Sequence, residues 1–83
     1  NTGLSLTGNL SQDMQTLQQL VNGVGTNGSV LQQYAQAVSN EARQQGNGLD
    51  SSVAGDIGGS LSDGTYDQQG SSNAISSALQ GQS

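Results

Sequence analysis

The sequence contains no cysteine and no histidine. The first absence excludes disulfides, and the two together remove the side chains from which most compact metal centres are built. Lysine is missing too, so the usual base, thiol and amine nucleophiles of enzyme chemistry are all absent. With no Phe or Trp, large apolar side chains come down to Leu, Val, two Ile, one Met and two Tyr. Positive charge is nearly absent: Arg43 stands alone against six acidic residues, for a net charge of −5. One cation cannot build a counterion-releasing nucleic-acid site or a polybasic membrane-surface patch. No apolar run approaches the roughly 20 residues of a membrane span.

What remains is short and polar. Apolar residues make up 30% of the 83, against roughly 45–50%, glycine included, in an ordinary globular domain. A domain of this size buries only about 60% of its unfolded surface, yet must offset about 1–2 kcal/mol of backbone ordering per residue. Small scaffolds are usually helped by disulfides, metals or oligomerisation. Composition removes the first and disfavours the second. The expected partner is therefore the chain itself, as a homo-oligomer or polymer, with no nucleic acid, no membrane span, no small-molecule substrate and no cofactor. More than half of the residues are Gln, Ser, Gly or Asn, whose neutral polar surfaces repel weakly and suit dense self-association. A start at Asn1 rather than Met points to a removed leader or a trimmed chain. Low charge, the lack of Lys and the abundance of Gln, Ser and Gly favour an extracellular or cell-surface location.

Order along the chain is carried by residues 10–48. Residues 1–9 alternate weakly, through Leu4 and Leu6, and read as a flexible arm able to serve as a strap. From Leu10 the apolar period becomes helical: Leu10, Met14, Leu17, Val21 and Val24 step by four and three. Ser11 is the expected N-cap, with Asp13 favoured near the positive helix end. Asn22-Gly23 and Asn27-Gly28 are turn dipeptides. Ser29 with Gln32 forms a capping box for a second run carrying Leu31, Ala35, Val38 and Ala42. Arg43 then complements the negative helix end, and Gly46 or Gly48 stops the run. The two stripes share one heptad phase, so the chain can form a helical hairpin or one kinked helix. The hairpin is the expectation, because the helix-hostile bridge is costly to propagate through.

Residues 49–83 carry a weaker signal. Val53, Ala54, Ile57 and Leu61 have helical spacing, but Gly55, Gly58 and Gly59 each weaken a helix by about 1 kcal/mol relative to Ala. Glycines so placed suit a close helix–helix seam. Asp63-Gly64 reads as a turn. Ser71 or Ser72 is expected to cap a short helix near 72–80, with Gly81 as its stop.

The fold class expected is all-α: a hairpin of two amphipathic helices plus a Gly/Ser-rich, partly helical tail, ordered by self-assembly. Leu10, Met14, Leu17, Val21, Leu31 and Val38 form its seam within the subunit. Val53, Ile57, Leu61 and Leu79 are expected to join subunits. The reason is that about ten sizeable side chains in the two-helix seam, at roughly 1.5–3 kcal/mol each, fall short of the ordering cost of the whole chain.

Chemistry has few candidates. A paired-carboxylate hydrolase needs two acids fixed across a cleft, and Asp50, Asp56, Asp63 and Asp67 lie in Gly/Ser-rich sequence. A calcium loop needs alternating oxygen ligands, a glycine at the sixth position and a closing Glu. Asp63-Gly64-Thr65-Tyr66-Asp67 does not supply these, so the four read as solvated turn aspartates. Asn9 and Asn27 open formal N-glycosylation sequons. No catalytic, cofactor-binding or metal residues are assigned, and the chain is not expected to be an enzyme.

Helix, short turn and longer helix over Leu10–Gln45, in a cysteine-free chain of this length, resembles the subunits of type III secretion needles and plant-pathogen pili. That resemblance implies helical assembly around a narrow channel lined by polar residues. The stretch Gln68-Gln69-Gly70-Ser71-Ser72-Asn73-Ala74-Ile75, followed by Gln80, resembles a repeat of curli-type functional amyloids, which implies stacked strand–turn–strand units. Neither assigns a family. The function expected is that of a secreted structural protein, the self-assembling subunit of an extracellular filament, pilus or fibrous matrix. The alternatives are a small helical protein-binding module and a curli-like amyloid subunit.

Overall fold

Each helix starts where a short amide or carboxylate side chain can accept a hydrogen bond from the first turn. In the computed structural model, which describes residues 5–23 and 27–81, these starts define α1 (Leu10–Asn22), α2 (Gly28–Gln44), α3 (Gly48–Asp63) and α4 (Gln68–Gln80). Asn9 caps α1 through the Gln12 amide, and Asn27 caps α2 through the Ser29 and Val30 amides. Asn47 caps α3 through the Asp50 amide, and Asp67 caps α4 through the Gly70 amide. The caps expected at Ser11, Ser29 and Ser71 or Ser72 are thus displaced outward. At two of the three, packing accounts for the shift: Leu10 and Ser71 are both buried helical residues, so neither helix can start after them, whereas Ser29 is exposed and its helix starts at the preceding Asn27 cap.

Glycine ends two helices in the left-handed region. Gly46 (φ +77°) follows α2, and the next amide, Asn47, donates back to the Ala42 carbonyl at 2.8 Å. Gly64 (φ +82°) follows α3, and Thr65 donates to the Ser60 carbonyl at 2.9 Å. Both are the wrapped-back ends that orphaned carbonyls favour.

The all-α class holds, and the described residues contain no strand. The expected two-helix hairpin with a partly helical tail does not: residues 49–80 form two further complete helices, and the short helix near 72–80 is the later part of α4. Val24 of the apolar stripe and Leu4 of the arm lie outside the described residues. α1 packs against α2 and α4, and α3 packs against α2 and α4, closing a ring of four. Neighbours run antiparallel. Gln18 Nε2 of α1 reaches Ser76 Oγ of α4 at 2.6 Å, while Gln68 Nε2, at the other end of α4, donates to the Val21 carbonyl at 2.9 Å.

The core is narrow. Met14, Leu17, Val38 and Ile75 are completely enclosed. Where α2 meets α3, Gly55 and Gly58 of α3 lie against Ser39, Gln36 and Ala35 of α2. A Cβ on Gly58 would lie 3.0 Å from Gln36 Cγ, and one on Gly55 would lie 3.1 Å from Ser39 Oγ. Ser39 Oγ donates to the Ser51 carbonyl at 2.9 Å across the same seam. Close approach lets a chain poor in large apolar residues enclose them. The radius of gyration is 11.4 Å, against about 12 Å for a globular chain of this length.

Candidate functional site

Two carboxyl groups lie buried face to face between α1 and α2. Asp13 is wholly enclosed and Glu41 is 9% exposed. Each sits one residue before an apolar stripe position, Met14 on α1 and Ala42 on α2. Antiparallel docking therefore brings the same flank of both stripes together, at the start of α1 and the end of α2.

Asp13 is held from outside. The Thr7 amide donates to both of its oxygens at 3.1 Å, and Thr7 Oγ1 donates to Oδ1 at 2.9 Å. Asn9, which caps α1, donates its own amide to Thr7 Oγ1 at 3.2 Å. Gln45 Nε2, just past α2, reaches the Gly8 carbonyl at 3.4 Å. Residues 7–9 thus form a strap across the end of the α1–α2 pair.

Glu41 has no such support. Its Oε1 is buried without a hydrogen-bond partner. Burial raises its pKa to about 7, helped by the hydrogen bond to Asp13 and by repulsion from the Asp13 charge. Two carboxyls can share a hydrogen bond only when one holds a proton. With the Thr7 donors turned to Asp13, that proton belongs on Glu41. Tyr34 borders the pair from α2. Its hydroxyl is pushed up first by burial and next by the Asp13 charge, partly offset by a hydrogen bond with Thr16.

The residues singled out from sequence fall elsewhere. Leu10, Met14, Leu17, Val21, Leu31 and Val38 are all buried in one core. Ile57 belongs to the same core, and Val53, Leu61 and Leu79 pack against it partly buried. The four aspartates of the calcium reading are spread along α3 and the start of α4. Asp50 is buried in the first turn of α3, and Asp56 is exposed in mid-helix. Asp63 accepts from the Thr65 hydroxyl at 2.6 Å, which with the Thr65 amide holds its carboxyl below the usual range. Asp67 serves as the cap of α4. Among the described residues no three acidic side chains gather as a metal site would need.

One surface cleft of about 250 Å³ opens between α3 and α4, with Val53, Ile57 and Ala74 as its apolar part and Asp56 and Asp67 beside them. That is below the roughly 300–1,000 Å³ of a typical small-molecule pocket. Sequence reading missed Asp13 and Glu41 as a pair, although the matching flank position on two antiparallel stripes was visible. No family model, no curated protein and no solved structure matches this chain.

Proposed function

We propose that this chain is a secreted structural protein, the self-assembling subunit of an extracellular filament, pilus or fibrous matrix. The observation that carries the reading is the character of its exterior. Outside the core the surface presents mainly Gln, Ser and Asn, with Arg43 and the exposed acids Asp56, Asp63 and Asp67, and only Leu6 (36%) and Leu49 (53%) as exposed large apolar side chains among the described residues. Such faces bring little charge repulsion and many hydrogen-bonding groups to a contact between copies. Because the four helices close a core within one chain, assembly in this reading docks folded bundles rather than ordering loose tails. Val53, Leu61 and Leu79, half-covered by their own bundle, offer the apolar part of such a contact.

A second reading, a small helical protein-binding module, is favoured by the same core, which is enclosed within one chain. Negative-stain electron microscopy across a concentration series separates the two. Uniform filaments that keep helical circular dichroism support the structural role. Dispersed particles at every concentration, still helical, would sink it and leave the binding module. A change to β-type dichroism in the filaments would instead favour a curli-like subunit, in which α4 has been remade as strand.

A further inference from the structure

Two acids buried against each other without a cation are costly unless a proton stands between them. The groups that face Glu41 are few. Asp13 comes from α1, and Tyr34 comes from its own helix. Arg43, two residues on, is exposed. α3 carries Asp50, bound to Asn47 at its own first turn, and the exposed Asp56 and Asp63. α4 has no titratable residue. Among the described residues nothing cationic is placed to take over when the proton leaves.

We propose that the Asp13–Glu41 pair is a proton-operated latch that fastens the strap at Thr7 and the start of α1 onto the end of α2. With the proton in place, Glu41 donates to Asp13 and the strap closes over both. Once the proton is lost, two negative charges face each other in a dry seam. Relief requires water to enter, and the route at the edge of the bundle is to lift residues 7–9 and the first turn of α1, giving up the Thr7 hydrogen bonds to Asp13 and one long bond from Gln45 to the Gly8 carbonyl. The latch is independent of whether the chain assembles.

The linkage has a definite sign. A carboxyl whose pKa is higher folded than unfolded binds more protons in the native state, so its contribution is full below the unfolded value of about 4.3 and is lost as pH rises through the folded one. Stability should therefore fall between about pH 5 and pH 8, the reverse of what an ordinary paired carboxylate produces. Asp63, whose pKa is lowered, acts only at more acid pH.

The test is thermal unfolding of the wild-type chain and of Glu41→Gln across that window. The amide introduced by this substitution keeps the shape, donates to Asp13 at every pH and cannot titrate. The wild type should lose several degrees of Tm from the acid to the alkaline end. E41Q should stay flat and melt above the wild type at the alkaline end. Exchange of the Thr7 amide at about pH 8 should be at least several-fold faster in the wild type than in E41Q. Parallel pH profiles for the two proteins, or a flat wild type, would overturn the latch. If E41Q does not fold, carboxyl carbon NMR of the wild type decides: a Glu41 midpoint near neutrality upholds the proposal, and one near about 4.3 ends it.

Discussion

Adjacent residues Gly58 and Gly59 of α3 show how differently the same side chain can be used. Nothing lies within 4 Å of a Cβ placed on Gly59, whereas one on Gly58 meets Gln36 at 3.0 Å and Ala35 at 3.8 Å. Gly59→Ala should therefore stabilise by about 0.5–1 kcal/mol, the helix cost of glycine with nothing to oppose its removal. Gly58→Val should destabilise by about 1–3 kcal/mol by forcing α2 and α3 apart. Urea unfolding of both variants checks this, and equal effects would mean that the seam is loose. The sequence suggested a close seam at these glycines without saying which of them formed it. Period alone cannot, because side-chain packing across α2 decides which faces inward. The acidic pair was hidden for a related reason. Asp13 and Glu41 are far apart in the chain, and each alone looks like a solvated charge beside an apolar stripe.

At the level of elements, α1 and α2 were legible because Leu, Met and Val anchor their stripes, with Ala35 and Ala42 of α2 falling in the same phase. α3 was only half legible, since its buried face is Asp50, Ala54, Ile57 and Gly58, and small residues weaken any periodic signal. Its helix is set as much by its ends as by its face. Asp67 begins α4 by accepting the Gly70 amide at 2.9 Å. Asp67→Ala should cost about 1 kcal/mol, while Asp67→Asn, which keeps an acceptor, should cost little. Thermal melts of the pair distinguish a lost cap from a lost charge. Serine was read as the cap in three places where Asn or Asp holds the role. These residue types cap about equally well, so at α1 and α4 the choice was made by the core, which needed Leu10 and Ser71 inside their helices.

For the whole molecule, the sequence implied that an apolar content of 30% would leave the monomer short of a core. The ring of helices answers part of that shortage by geometry. Gly and Ala let backbones approach, and Gln18 and Gln68 tie α1 to α4 with hydrogen bonds where larger apolar side chains would otherwise hold them by burial. Two outcomes follow. Helicity should not depend on protein concentration from the micromolar range upward, measured by circular dichroism. Ile75→Ala, at a fully enclosed position on α4, should destabilise the entire bundle by about 2–5 kcal/mol in a single transition. Loss of α4 alone, with the other helices intact, would show that the ring is not one cooperative unit.

Because α1 and α4 are antiparallel neighbours, the first turn of one and the last turn of the other lie at the same end of the bundle. Tension applied there would load their seam one contact at a time, as in unzipping, instead of shearing the whole length at once. A bundle no longer than 29 Å would then yield at low force and release a chain of about 280 Å. In a fibre of the proposed kind, it would act as an extensible link.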